Sequence, residues 1–229
     1  MRAVHTEPPA DTGERDGLSY ALFLPAQAPA GGVVVLHGAG SQKENHFDFA
    51  RACSAAGLAA VAFDQRGHGA SEGALDGRAI DDLATIAGVL PAGVRVALRG
   101  SSMGGWLALA AGAALDAAAV VAICPASSDQ LARGLHSGRF TFRADAATLE
   151  PLLRATDLTA AARALGARLL LMHAEGDEDV PVEHSRELHG AAPDSRIEVV
   201  PGGHHRSVQH DPDLQALSVR FLCKRCAPR

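Results

Sequence analysis

Strand-like and helix-like segments alternate along almost the whole of this chain. The apolar runs that suit strands are GLSYALFLP (17–25), GGVVVLHG (31–38), GLAAVAFD (57–64), VRVALRG (94–100), AAVVAICPA (118–126), ARLLLMHAE (167–175) and SRIEVVPG (195–202). The helix-like segments are residues 45–56, 77–89, 102–115, 147–165, 183–190 and 211–225. Strands that alternate with helices of this length favour parallel pairing through right-handed crossovers. The sequence therefore predicts an α/β fold with a mostly parallel central sheet and helices on both faces.

A single domain is the simplest organisation for a chain of 229 residues. No internal repeat or low-complexity linker divides it, so we expect one domain over residues 1–229. Ser41 and Glu44 have the spacing of a capping box, which predicts a helix start at this point. Residues 127–146, SSDQLARGLHSGRFTFRADA, fit the alternation least well, and we interpret them as an inserted loop or a small lid.

Composition and charge argue against several classes of partner. The formal net charge is −5 and the sequence has no basic stripe, which is untypical of a nucleic-acid-binding protein. The first residues, MRAVHTEPPADTGERDG, are polar and interrupted by prolines, unlike a signal peptide or a membrane anchor. The longest apolar stretch, 113–125, contains Asp116 and is too short to cross a bilayer. We therefore expect no membrane association and a cytoplasmic location.

The cysteines and histidines do not follow a metal-binding pattern. Cys223 and Cys226 in the C-terminal CKRC have redox or half-zinc spacing, but no second ligand pair accompanies them. We interpret the four cysteines as free, structural thiols. A metal site could also be drawn from His173, Asp177, His204 and His205. No close metal-ligand spacing supports that site, so the sequence predicts no metal.

Two adjacent serines, Ser101 and Ser102, lie between a strand-like and a helix-like run in VALRGSSMGGWLALAAGAAL (96–115). Only Ser102 has glycine two residues to either side, which gives the pattern G-x-S-x-G. A sharp strand-to-helix turn strains the backbone at its apex, and side chains two positions away would collide. The pattern therefore favours Ser102 as a nucleophile. The alternative is that one serine caps the helix and the glycines allow close packing.

Further polar segments follow the ends of the predicted strands. They are VVVLHGAG (33–40), AFDQRGHG (62–69), LLLMHAEGDEDVP (169–181) and EVVPGGHHRS (198–207). Ligands of open α/β sheets bind in the crevice outside the carboxyl ends of the strands, so we expect these segments to converge there. From the residues alone, His204 and His205 both qualify as a base for the serine. The candidates for its acidic partner are Glu175, Asp177, Glu178 and Asp179.

The order HGxG, DxRGHG, GxSxG, DxxVP and a late histidine resembles the α/β-hydrolase superfamily over roughly residues 17–225. Within it, the chain is most similar to small serine esterases related to dienelactone hydrolases and acyl-peptidases. The resemblance implies the α/β-hydrolase fold and a catalytic triad in the chain order Ser, Asp, His. It aligns the family's D-x-x-V-P with residues 177–181 and its Pro-Gly-small-x-His with residues 201–205. It thereby implies Ser102 as the nucleophile, Asp177 as the acid and His205 as the base.

An oxyanion that develops next to Ser102 needs backbone donors. The amide of Met103 lies at the predicted helix N-terminus, where amide groups point outward. We expect the second donor of this oxyanion hole to be the amide of Ala39 in HGAG. The polar residues interpreted as loop braces are His37, Asp64, Arg66 and His68. Substrate contact by Arg66 or His68 is an open alternative.

These features predict a carboxylesterase, a serine hydrolase that cleaves small-molecule esters through an acyl-enzyme without a cofactor. By resemblance, serine at the elbow argues against a haloalkane dehalogenase, which carries Asp, and against a true dienelactone hydrolase, which carries Cys. Phe140 and Phe142 are candidate pocket walls. The lid residues that could favour an anionic substrate are Arg133, His136, Arg139 and Arg143. The alternatives are a thioesterase, a peptidase, an acyltransferase or a non-catalytic ligand-binding protein on the same fold. We expect a monomer or a homodimer.

Overall fold

The computed structural model of this protein describes residues 7–227. Residues 1–6, at which we expected no leader, and the last two residues of the expected domain lie outside the described residues. The strands are β1 (Asp11–Arg15), β2 (Leu18–Phe23), β3 (Gly32–Leu36), β4 (Ala59–Phe63), β5 (Val96–Ser101), β6 (Val120–Ile123), β7 (Leu169–Ala174) and β8 (Arg196–Val200). The helices are α1 (Phe47–Ala55), α2 (Ala79–Ala87), α3 (Met103–Ala114), α4 (Ser128–His136), α5 (Ala146–Ala155), α6 (Leu158–Leu165), α7 (Val182–Ala191) and α8 (Pro212–Cys226).

The strands form one sheet in the order β1-β2-β4-β3-β5-β6-β7-β8. From β4 to β8 every neighbouring pair is parallel, whereas β1 and β2 are antiparallel at one edge. The predicted mostly parallel sheet is therefore confirmed. Because all the parallel strands point the same way, the loops that follow β3, β5, β6, β7 and β8 lie at the same edge of the sheet.

The edge strand β1 was not predicted. Its sequence, DTGER, is polar and mostly exposed, and it pairs with β2 from Asp11 opposite Leu22 to Arg15 opposite Leu18. A strand at a sheet edge with little apolar surface to bury shows no hydrophobic alternation from which it could be predicted. Backbone pairing with β2 is what makes this segment extended.

Side chains of the central strands alternate between two hydrophobic layers. In β3, Val33 and Val35 face one layer, and Val34 and Leu36 face the other. The first layer is covered by α1 and α8, and the second by α2 to α7. This period of two explains why the central strands appear in the sequence as continuous apolar runs. Within residues 7–227, no helix combines the length and the apolar character that a membrane crossing requires.

Two details of the predicted helices are wrong. The segment 147–165 forms two helices, because Asp157 accepts a hydrogen bond from the amide of Ala160 and starts α6 anew. The capping box expected from Ser41 and Glu44 is not formed. The 3-10 turn Lys43–His46 has Gln42 at its N-cap without a side-chain cap, and the Glu44 carboxylate lies 3.0 Å from Lys43 Nζ.

The segment 127–146 has more regular structure than a loop. It contains α4, which begins at a complete capping box between Ser127 and Gln130. The chain after α4 is irregular and returns to the body of the protein, where Leu75 donates its amide to the carbonyl of Arg143 at 2.9 Å. This segment lies beside the end of β5 and forms one wall of the cavity described below. We refer to residues 127–146 as the lid segment.

Candidate active site

Ser102 forms the apex of a tight turn between β5 and α3. Its backbone has φ 55° and ψ −118°, in a region that non-glycine residues rarely adopt and that costs about 1–3 kcal/mol. Ser102 occupies the N-cap position, but its side chain makes no cap hydrogen bond. The interpretation of Ser102 as a helix cap is therefore wrong, and its hydroxyl is available for other contacts. The hydroxyl of Ser101 is buried and has no hydrogen-bond partner within the described residues.

The two flanking glycines are required by close backbone contacts. A Cβ on Gly100 would lie 2.0 Å from the carbonyl oxygen of Gly104. A Cβ on Gly104 would lie 2.5 Å from the carbonyl oxygen of His37, at the end of β3. Neither backbone can move away without opening the turn. The G-x-S-x-G pattern at residues 100–104 thus has the steric cause that the sequence suggested.

Asp177 and His205 form a direct hydrogen bond. The Nδ1 atom of His205 lies 2.7 Å from Oδ2 of Asp177. The other carboxylate oxygen, Oδ1, accepts the backbone amides of Asp179 and Val180, each at 2.9 Å. Burial by itself raises the pKa of Asp177, but hydrogen bonds from His173, His205 and Val180 outweigh it and hold that pKa well below its ordinary value. Asp177 is therefore a fixed carboxylate that orients the ring of His205 with Nδ1 as the donor.

His173 contacts the carboxylate of Asp177. Its Nε2 lies 2.9 Å from the carbonyl oxygen of Val180 and 3.4 Å from Oδ2 of Asp177. Because a carbonyl oxygen only accepts, Nε2 carries the proton, and Nδ1 accepts the hydroxyl of Ser185 at 2.7 Å. A histidine with both nitrogens engaged has no lone pair left for a metal ion. The sequence showed His173 only as a possible metal ligand and missed this supporting position.

Cys124, which the sequence did not single out, completes a buried group with His173 and Asp177. Their side-chain ligand atoms lie within 4.8 Å of one another. Burial raises the pKa of the Cys124 thiol, so it stays protonated and is a poor metal ligand. Together with the engaged ring of His173, this makes a metal site at this position unfavourable. His204, the other proposed ligand, is exposed on the loop.

Ser102 and His205 line the same cavity, of about 500 Å³. A second cavity of about 440 Å³ adjoins it, and the two cavities share Ala39, Gly40, Ser102, His205 and Arg206. Ser102 therefore lies between two open spaces. Such a position suits a residue that attacks a bond with one part of the substrate on either side. Within residues 7–227 no hydrogen bond joins the Ser102 hydroxyl to His205. Such catalytic hydrogen bonds are often long in unliganded enzymes and tighten when substrate binds.

Two backbone amides next to Ser102 are suited to bind an anion. Met103 is the first residue of α3, so its amide has no acceptor within the helix. Ala39 follows Gly38, and a Cβ on Gly38 would lie only 3.3 Å from Cβ of Ser102. The HGAG loop thus abuts the serine turn and places Ala39 on the wall of both cavities.

The polar residues after β3 and β4 brace the loops that carry these amides. His37 is fully buried, burial lowers its pKa to about 4, and its Nε2 accepts the amide of Gln65 at 3.0 Å. The carboxylate of Asp64 pairs with Lys43 Nζ at 2.7 Å, and that of Asp82 pairs with Arg66 Nε at 3.0 Å. None of the four polar residues interpreted as loop braces, which are His37, Asp64, Arg66 and His68, lines either cavity of Ser102. These positions support the interpretation as loop braces rather than substrate contact.

The lid segment contributes its predicted residues unequally. Phe140, Arg133 and Arg139 line the cavity of Ser102, and Arg139 forms an ion pair with Asp179. Phe142 lines only a separate apolar cavity. The remaining two basic residues are elsewhere, since His136 pairs with Glu150 at 3.0 Å and Arg143 lines neither cavity of Ser102.

Comparisons with known proteins agree with this arrangement. The sequence profile of the family described as serine aminopeptidase, S33, matches residues 27–140. A monoacylglycerol lipase from Paleococcus ferrophilus has a similar structure, with a TM-score of 0.73 and 21% identity over 91% of this chain and 99% of its own. Est1E from Butyrivibrio proteoclasticus, with ferulic acid bound, has a TM-score of 0.70 and 19% identity over 93% and 96%. The Pyrococcus furiosus esterase Pf2001 has a TM-score of 0.73 and 20% identity over 95% and 93%. A search of curated protein sequences found no match.

Proposed function

We propose that this chain, which has the α/β-hydrolase fold, belongs to the α/β-hydrolase superfamily and is a serine hydrolase of small carboxylic esters. The observation that carries this proposal is one shared cavity. Its wall holds Ser102, on a strained turn, and His205, whose ring is oriented by Asp177. The neighbouring structures that are esterases or lipases by name support the same class of reaction.

In the proposed mechanism the Oγ atom of Ser102 attacks the ester carbonyl carbon while Nε2 of His205 takes the hydroxyl proton. The tetrahedral intermediate collapses by breaking the bond to the alcohol oxygen, which leaves with that proton. Water then attacks the acyl-enzyme, again giving its proton to His205, and releases the acid and Ser102. Asp177 keeps the proton of the neutral ring on Nδ1 and stabilises the imidazolium that forms twice in the cycle.

The amides of Met103 and Ala39 are the proposed oxyanion hole. In each tetrahedral intermediate the former carbonyl oxygen becomes negative, and both amides lie beside the nucleophile with no acceptor from the regular structure around Ser102. The N-terminus of α3 adds a favourable dipole. Loss of one such donor typically lowers turnover by about 10²–10³-fold.

The charges in the cavity favour esters over the N-terminal peptide bonds that an aminopeptidase cleaves. The charged residues on its wall are Arg133, Arg139, Arg206 and Asp179. An aminopeptidase must hold the cationic α-amino group of its substrate against an unpaired acid. Asp179 is instead paired with Arg139, so the cavity offers no free carboxylate among its described lining residues. Neutral or anionic esters fit this charge pattern better.

The experiment compares wild type with Ser102→Ala on a fluorophosphonate probe, p-nitrophenyl acetate, p-nitrophenyl butyrate and leucine p-nitroanilide. We expect wild type to label and to hydrolyse both esters, whereas the anilide should react slowly. Ser102→Ala should lose labelling and at least about 10³-fold in ester turnover, the scale of a missing triad member. Labelling of the alanine variant at the wild-type rate would contradict the proposal.

Ser101→Ala is the matched control, since it removes the neighbouring hydroxyl from the same turn. That hydroxyl is buried and makes no hydrogen bond within the described residues, so its removal should change turnover by no more than a few-fold. A collapse of activity in this variant, with Ser102→Ala still active, would move the nucleophile to residue 101.

A finer placement among the small serine esterases related to dienelactone hydrolases and acyl-peptidases stays a prediction. So do a cytoplasmic location, a single domain with the lid segment as an insert, and a monomeric or homodimeric state.

A further inference from the structure

An apolar cavity lies next to the nucleophile, and we call it the closed cavity because two lid side chains close it on the side toward Ser102. Its volume is only about 20 Å³, close to that of one water molecule. The residues that line it are Gln65, Leu75, Ala79, Met103, Trp106, Leu107, Leu131, Leu135, Phe140, Phe142, Leu149 and Leu153. Met103, which lines this cavity, directly follows Ser102 in the chain, so the cavity lies beside the turn that carries the reacting hydroxyl. Only one of its lining side chains, Gln65, is polar.

Two lid side chains separate this closed cavity from the cavity of Ser102. Leu131 and Phe140 line both spaces, so their side chains form the partition between them. Leu131 is buried within α4, whereas Phe140 lies on the irregular chain after it and is only partly buried. Phe140 is therefore the more exposed half of the partition.

The ring of Phe140 is held in place by specific contacts. A Cβ on Gly134 would lie 2.3 Å from Cζ of Phe140, so glycine at that position of α4 makes room for the ring. On its other side the ring stacks on Phe142 with centroids 4.9 Å apart, and Phe142 stacks on His68 at 4.0 Å. These contacts fix the ring across the mouth of the apolar cavity rather than in solvent.

We propose that Phe140 is a specificity-determining residue, whose ring separates the cavity of Ser102 from the apolar cavity and so denies a longer acyl chain the apolar surface that would favour its binding. This inference rests on the proposed ester hydrolase function. Without the ring, an acyl group attached to Ser102 can extend past Met103 into the apolar cavity. The class of substrate that the intact protein favours is then an ester of a short acid. A medium-length alkyl chain has room in the 500 Å³ cavity of Ser102 but lies there against polar side chains such as Gln130, Arg133 and Arg139, so its added methylenes gain little.

The test measures kcat/KM for p-nitrophenyl esters from acetate to decanoate in wild type and Phe140→Ala. Each methylene that enters an apolar site improves binding by about four-fold. We expect wild type to gain nothing beyond butyrate, and Phe140→Ala to raise the octanoate-to-acetate ratio by at least about ten-fold. An unchanged ratio in the variant, or a wild type that already prefers octanoate, would overturn the proposal. If Phe140→Ala does not fold, Phe140→Val removes most of the ring and serves the same test.

Leu149→Ala provides the matched control. Leu149 lies on α5 and lines the closed cavity without touching the cavity of Ser102. Its truncation enlarges the closed cavity but leaves Phe140 across the mouth, so the chain-length profile should still end at butyrate. A profile that extends to octanoate in Leu149→Ala would mean that the ring does not separate the two spaces, and the proposal would fail.

A binding measurement separates this inference from the proposed function. Trp106 is the only tryptophan of the chain and lines the closed cavity, so a brominated alkyl chain that enters the cavity should quench its fluorescence. On a Ser102→Ala background, ω-bromooctanoate should quench Trp106 at least about ten-fold more tightly when Phe140 is also alanine. Equal quenching with and without the ring would refute the pocket. Stronger quenching without the ring, together with a wild-type protein that hydrolyses no p-nitrophenyl ester, would refute the enzymatic function and leave the pocket standing.

Discussion

Arg99, three residues before Ser102 on β5, is a buried cation without an ion-pair partner among residues 7–227. Its side chain is 1% exposed and its guanidinium carbon lies 4.2 Å from the ring centroid of Phe49. It donates a hydrogen bond to the carbonyl of Gln209 at 2.7 Å and lies 3.3 Å from Nδ1 of His46. Gln209 belongs to the loop that carries His205. Arg99 therefore ties the strand that precedes the serine to the loop that carries the histidine.

The charge of Arg99 has a cost that the structure allows us to work out. Burial lowers its pKa from 12.5 to about 10, which corresponds to about 3 kcal/mol at ~1.4 kcal/mol per pKa unit. Because the charged form is the one disfavoured, this cost is present at every pH below about 10 and is relieved only above it. Methionine, of similar length, would remove the cost but also the two hydrogen bonds, each worth about 1 kcal/mol. We expect Arg99→Met to match the stability of wild type to within about 1 kcal/mol or to exceed it.

Turnover should respond differently from stability. Without the bond to Gln209, the loop can shift, and a 1 Å misplacement of a catalytic group can cost about 100-fold in rate. We expect kcat for p-nitrophenyl acetate to fall by about 10- to 100-fold in Arg99→Met, with a smaller change in KM, because Arg99 acts through the position of His205. Arg99 is thus a positioning residue whose charge is maintained at the expense of stability.

Urea unfolding and steady-state kinetics on the same preparations test this reasoning, with Arg99→Lys as the control. Lysine keeps a charge but has a compact, strongly hydrated ammonium without the planar fork. Arg99→Lys should therefore lose both stability and activity. A loss of more than about 3 kcal/mol in Arg99→Met would show that the buried charge stabilises the fold. Wild-type kcat in a stable Arg99→Met protein would show that the bond to Gln209 does not position His205.

Two further substitutions probe the triad and the turn. Asp177→Asn should lower kcat by about 10⁴-fold while the protein stays folded. The amide NH₂ that faces Nδ1 of His205 moves the ring proton to Nε2, where it blocks proton transfer from Ser102. A loss below about ten-fold in the p-nitrophenyl acetate assay would show that Asp177 does not belong to the triad. Gly104→Ala places a Cβ 2.5 Å from the carbonyl oxygen of His37 and should cost about 1–3 kcal/mol in urea unfolding and at least about 100-fold in activity. Its control, Gly190→Ala on α7, meets nothing within 4 Å and should be neutral or stabilising by up to about 1 kcal/mol; equal behaviour of the two glycine variants would contradict the steric account of the turn.

The sequence determined the arrangement of elements and the turn at Ser102. Short apolar runs bounded by glycines favour strands covered on both faces, and the alternation of these strands with helices favours a parallel sheet. The contact between Gly100 and the carbonyl of Gly104 lies within the turn itself, so the G-x-S-x-G pattern makes the turn recognisable in the sequence. The strand β1 was not predicted because its residues are polar and mostly exposed, and such a segment shows no hydrophobic alternation.

Only the tertiary structure decided which polar groups meet. Several acids follow β7, and the structure brings the carboxylate of Asp177 to the ring of His205 while leaving Asp179 paired with Arg139. The support from His173, the tie from Arg99 to Gln209 and the partition formed by Phe140 join residues that are far apart in the chain. Hydrogen bonds and cavities depend on positions to within a fraction of an ångström. Hydrophobic periodicity fixes which face a residue occupies, but it does not fix that distance.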